Sequence, residues 1–153
     1  MRVSPCAWFG RNLDKVKDLS YKVTSVTHNH PEGIKGAEAT AVAIYLARCG
    51  QSKEEIHLAM QAYYVDVPSL DEIRPTYCFD TSCQGTVPYA LQAFYESTSF
   101  EDAIRNAISI GGDSDTLGAI AGSIAEAYYG VPDEMVRVAN RILGLKESLQ
   151  YPN

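Results

Sequence analysis

The chain has 153 residues, a formal net charge of −6, 46 % hydrophobic and 21 % charged residues. This is enough for one domain with its own core, in an ordinary globular balance. The acidic charge and the lack of any basic stretch exclude a binder of nucleic-acid phosphates, and no apolar run reaches the length of a membrane span.

Residues 1–30 lack the basic, apolar, small-residue order of a secretion signal, so the expected location is the cytoplasm. Cys6, Cys49, Cys78 and Cys83 form no C-x-x-C pair, which argues against zinc knuckles and thioredoxin-type motifs. Reduced and mostly buried thiols are expected. A zinc site from Cys78, Cys83 and nearby histidines has no spacing support, and neither does a Cys83 nucleophile.

The chain reads as helices throughout. Leu13, Val16, Leu19, Val23 and Val26 recur at helical steps behind a capping Asn12. A second helix over about 33–48 packs through Ala37, Ala41, Ile44 and Tyr45, with Gly50 past its end. Ser52 and Glu55 form a capping box for a third, which buries Ile56, Ala59, Met60 and Tyr63. Residues 65–85 have no sustained period and read as a long irregular connection, of a kind that often carries function. Pro88 fits the first turn of a helix running to about residue 97. Ser99 and Asp102 open the next, with Ile104, Ala107 and Ile108. A helix over about 115–129 is rich in small residues that let neighbours approach closely. The last begins at Pro132 and carries a stripe of Met135, Val138, Ala139, Ile142 and Leu143 that is expected to be buried. No strand alternation and no internal repeat appear. The expectation is a single all-α domain, a multi-helix bundle over residues 1–153, with function in the turns.

One turn stands out: Gly111-Gly112-Asp113-Ser114-Asp115-Thr116 at the start of the small-residue helix. Asp113, Asp115 and Thr116 are oxygen donors only, suited to magnesium, manganese or calcium. The glycine pair lets the backbone aim both carboxylates at one point. The competing interpretation is a helix cap, with Ser114 or Asp115 capping and Asp113 favouring the dipole. From the residues alone the two stand level. Magnesium wants about six oxygens, so this segment supplies about half. Asp80 is the other loop carboxylate, and a turn role fits it better. In Thr27-His28-Asn29-His30-Pro31, His30 reads as a cap, and His28 is open between a turn role and ligand binding. His57, among Lys53, Glu54 and Glu55, reads as part of a solvated face.

The carboxylate turn with its Gly/Ala helix resembles the metal motif of the ADP-ribosylglycohydrolase family. Three further segments agree in order: Met1-Arg2-Val3-Ser4-Pro5; Thr27-His28-Asn29-His30-Pro31-Glu32-Gly33 with Gly36-Ala37; and Asp80-Thr81-Ser82-Cys83 with Thr86-Val87-Pro88 and Ala90-Leu91. The resemblance covers nearly the whole chain. It implies an all-helical fold and a cleft with two magnesium or manganese ions. It also implies hydrolysis of the glycosidic bond joining ADP-ribose to a protein side chain or small acceptor. It makes Asp113, Asp115 and Thr116 metal ligands and sets His28 against the ADP-ribose; Ser114 stands where threonine is commoner. The family's Gly-Asp-x-x-Gly and Thr-Asp-Asp motifs, which bring the other ligands and the assisting acid, have no counterpart here. The expectation is therefore the later portion of the fold. Its activity would be impaired or dependent on another half. Otherwise it is a non-catalytic ADP-ribose or nucleotide module, or a subunit that completes its bundle by association.

Overall fold

The computed structural model describes residues 1–144, and those residues hold nine helices and no strand. They run α1 (Ser4–Phe9), α2 (Leu13–Ser25), α3 (Pro31–Arg48), α4 (Lys53–Met60), α5 (Leu70–Ile73), α6 (Cys83–Tyr95), α7 (Phe100–Ser109), α8 (Ser114–Tyr129) and α9 (Asp133–Leu143). Local chemistry sets many of the starts. Asn12 accepts from the Lys15 amide, Ser52 and Glu55 close their capping box, and Ser99 accepts from the Asp102 amide.

Two helices form the centre. α3 is buried around most of its circumference and packs on α1, α2, α4, α6 and α8; α8 packs on α3, α6 and α7. Between them lies a core in which Ile44, Ile56, Met60, Leu91, Phe94, Leu117 and Ile124 are fully enclosed. Each such side chain contributes roughly 1.5–3 kcal/mol of burial. Small residues set the close approaches. A Cβ at Gly36 would lie 3.1 Å from the Cys83 Cβ, and one at Gly122 would lie 2.7 Å from Ile104 Cδ1. Gly36 thus brings the start of α6 onto α3, and Gly122 seats α7 on α8.

Four expectations need correction. The connection over 65–85 contains α5, opened by its own capping box from Ser69 and Glu72. Pro88 lies inside α6, because Ser82 caps that helix six residues earlier by accepting from the Gly85 amide. The inward face of α2 is Val16, Ser20 and Thr24; Leu13, Val23 and Val26 face outward. Among the described residues no member of the α9 stripe is fully buried: Val138 is 42 %, Ile142 78 % and Leu143 68 % exposed. In both α2 and α9 the apolar period is present, and the packing partner is not where the period points. The thiols also differ from expectation: Cys6 is buried, Cys49 and Cys78 are exposed, and Cys83 is intermediate. No described helix is long and apolar enough to cross a membrane.

Candidate active site

A cavity of about 420 Å³ opens where α2, α3, α6 and α8 meet the start of the chain. Asp113 and Thr116 wall it from the start of α8, and His28 walls it from the turn between α2 and α3. Arg2 comes from the first residues, Cys83 and Thr86 from the start of α6. The volume falls in the range of small-molecule sites.

The α8 turn is built from glycines in a conformation that side chains disfavour. Gly111 and Gly112 have φ of +83° and +63°, in the left-handed region. A Cβ at Gly112 would lie 2.5 Å from the Tyr77 ring, so only glycine lets the 74–79 connection close on this turn. Tyr77 is itself fixed, donating to the Gly85 carbonyl at 2.8 Å and meeting the Tyr89 ring edge-to-face at 5.2 Å. Burial raises the Tyr77 phenol above its ordinary value, and the Asp80 and Asp113 carboxylates raise it further.

Asp113 occupies the cap position of α8, yet its side chain makes no capping hydrogen bond. The neighbouring Asp113 side chain and then the backbone amides of Thr116 and Asp115 hold the Asp115 carboxyl below the usual carboxylate range. Asp115 is exposed beside the cavity and is not part of its wall. The helix start thus orients one carboxylate, and the other is left to the cavity. Two carboxyls two residues apart, with a hydroxyl one residue on, suit a hard cation. Among the described residues no third acid, histidine or cysteine joins them to complete a cluster. These groups therefore fit one side of a divalent-cation site.

Asp80 serves its turn. Its Oδ1 accepts from the Ser82 amide at 2.7 Å, its carbonyl accepts from the Thr86 hydroxyl at 3.1 Å, and its carboxylate lies where a Gly85 side chain would be. That carboxylate lines a neighbouring hollow with Tyr77 and Tyr89, outside the main cavity. His30 caps α3, its Nδ1 accepting from the Glu32 amide at 3.3 Å. His57 is exposed on α4, edge-on to Tyr95.

Composition and periodicity gave no sign of Arg2, Thr24, Thr40 or Thr86 in the wall. The signal lay in the ordered segments. Residues 1–3, His28 with Gly33, Gly36 and Ala37, residues 81–83 with Thr86 and Val87, and Asp113 with Thr116 all line this one cavity.

The family model for ADP-ribosylglycohydrolase matches residues 1–149. ADP-ribosylarginine hydrolase Tri1 of Pseudomonas putida (strain GB-1) is 33 % identical over 144 residues, 86 % of this chain and 38 % of its own length. The Tri1 of Serratia proteamaculans (strain 568) is 28 % identical over 171 residues, 99 % of this chain and 45 % of its own length. A chain of a solved ADP-ribosylglycohydrolase-related protein complex superposes with a TM-score of 0.71 at 26 % identity, over 87 % of this chain and 50 % of that one. The chain thus spans half or less of the length of each of these relatives.

Proposed function

We propose that this chain, which belongs to the ADP-ribosylglycohydrolase family, forms one wall of an ADP-ribose cleft and takes part in hydrolysing the glycosidic bond of ADP-ribosylated acceptors. The observation that carries this reading is the convergence of the four family-like segments on one cavity, with the carboxylate turn at its edge.

In this reading Asp113, Asp115 and Thr116 hold a magnesium or manganese ion. Such an ion, when bound, supplies charge that orients ribose hydroxyls and polarises a water. The protein's own part is positional. The wall threonines and His28 bind sugar and phosphate oxygens, and the fixed Tyr77 holds the carboxylate turn in place. Three oxygen donors meet about half of magnesium's need. The 153 residues contain no Asp-Asp pair to add to them. We therefore expect weak cation binding and little turnover from this chain by itself, with fuller activity when other acidic groups complete the site.

Calorimetric titration with magnesium and ADP-ribose, with release assays on ADP-ribosylated arginine and serine peptides, tests the proposal. Measurable binding with little release is expected. Robust turnover by the purified 153-residue chain would overturn the incomplete-site part. The absence of any response to ADP-ribose would overturn the whole.

A second reading, a subunit that completes its bundle by association, draws on a separate observation. Phe9 at the end of α1, Val26 just past α2 and Ile142 in α9 are 80 %, 81 % and 78 % exposed. Sedimentation across a concentration series tests it: a monomer at every concentration removes self-association.

A further inference from the structure

His28 is held by Arg2 and Thr27. The Arg2 guanidinium donates to the Thr27 hydroxyl oxygen and, at 3.3 Å, to the Val23 carbonyl. The Thr27 hydroxyl in turn lies 2.7 Å from His28 Nδ1. The His28 backbone is pinned as well, its amide donating to the Thr24 carbonyl at 2.8 Å and its carbonyl lying 3.2 Å from where a Gly33 Cβ would sit.

The first member of this chain of bonds favours one direction for it. A guanidinium has five donors and no acceptor. The Thr27 oxygen must therefore accept from Arg2, which leaves its single proton to give. Among the described residues the only acceptor in contact with that hydroxyl is His28 Nδ1. With Nδ1 accepting, a neutral imidazole carries its proton on Nε2. Nε2 has no protein partner among the described residues, and His28 lines the cavity. The opposite arrangement, with Nδ1–H donating to Thr27, leaves the hydroxyl proton without a protein acceptor and turns Nε2 into an acceptor.

We propose that Arg2 and Thr27 are positioning residues that lock neutral His28 in one tautomer, so that the cavity is offered an Nε2–H donor. The ligand atom it suits is an oxygen acceptor: a phosphate oxygen, a ring oxygen or a hydroxyl lone pair. A ligand presenting only N–H donors at that point is disfavoured. The tautomer lock stands on the hydrogen bonds alone; naming the acceptor as part of ADP-ribose rests on the proposed function.

Long-range ¹H–¹⁵N spectra of the histidine rings, recorded on the full chain at a pH where His28 is neutral, read the tautomer directly. In the wild type His28 is expected to show a pure pyridine-type Nδ1 and a pure pyrrole-type Nε2. Thr27→Ser should keep that pattern. Thr27→Val and Arg2→Ala should lose it, giving the averaged signals of a ring exchanging between tautomers. The His30 and His57 signals and an unchanged thermal melt establish that each variant is folded. Averaged His28 signals in the wild type, a protonated Nδ1, or an unchanged pattern in folded Thr27→Val would overturn the proposal. Addition of ADP-ribose to the same sample tests the other reading separately. A shift at His28 Nε2 supports both, whereas a locked tautomer with no response supports the lock and overturns the ADP-ribose assignment.

Discussion

Gly112→Ala is the most informative single change near the site, because two separable costs meet there. The first is conformational. Gly112 has φ of +63°, and a side chain in that left-handed region costs about 1–2 kcal/mol. The second is steric. The new methyl carbon would lie 2.5 Å from Tyr77 Cε1 and 3.1 Å from Cδ1. Tyr77 cannot swing away freely, since it donates to Gly85 at 2.8 Å and packs on Tyr89. Releasing that hydrogen bond costs about 1 kcal/mol. The sum is about 2–3 kcal/mol, or roughly 5–10 °C in Tm for a chain of this size.

Gly111→Ala is the internal control. Its φ is +83°, but a Cβ there meets nothing within 4 Å, so only the conformational cost of about 1–2 kcal/mol applies. Urea titrations of both variants, repeated in a Tyr77→Ala background, separate the terms. Gly112→Ala should be the more damaging in the native background and fall to the level of Gly111→Ala once Tyr77 is truncated. Equal costs for the two glycines in the native background would refute the claim that Tyr77 clamps this turn.

Other outcomes follow from the same structure. Asp113→Asn with Asp115→Asn should abolish magnesium binding in calorimetry while changing Tm little; retained affinity would remove the turn as a cation site. Burial holds the Glu126 carboxyl above its ordinary range. The folded state therefore favours the protonated acid, and stability contributed below the unfolded pKa is lost as pH rises through the raised folded value. Glu126→Gln should accordingly stabilise the protein at neutral pH and have no such effect in acid, as read by urea titrations at two pH values. Ser52→Ala removes the acceptor for the Glu55 amide and should cost about 1 kcal/mol by thermal melting. If association covers the outer face of α1, Phe9→Glu should lower the sedimentation coefficient at high concentration without lowering Tm.

Much of the fold was legible because helix starts are local events. Asn12, Ser52 and Ser99 each announce a helix through a side chain that reaches only three residues ahead. What the sequence concealed depends on partners far along the chain. The apolar period of α2 points to Val23 and Val26, but α3 takes up the face bearing Val16, Ser20 and Thr24. Among the described residues no neighbour buries the apolar stripe of α9. Pro88 suggested a helix start, while the Ser82 cap lets the helix begin earlier and absorb the proline. For the site, Asp113, Thr116 and His28 could be singled out by residue type and resemblance, yet their meeting in one cavity comes from the close packing of α6 on α3 through Gly36 and of α8 on both. The Thr27 link to Arg2 spans 25 residues and carries no local mark.

The claim that this cavity binds ADP-ribose is tested most directly by an amide ¹H–¹⁵N titration of the 153-residue chain with ADP-ribose in the presence of magnesium. Shifts are expected to concentrate at His28, Gly36, Thr86, Asp113 and Thr116, and to be lost in Asp113→Asn with Asp115→Asn. Shifts centred elsewhere, or none at ligand concentrations that saturate a millimolar site, would contradict it.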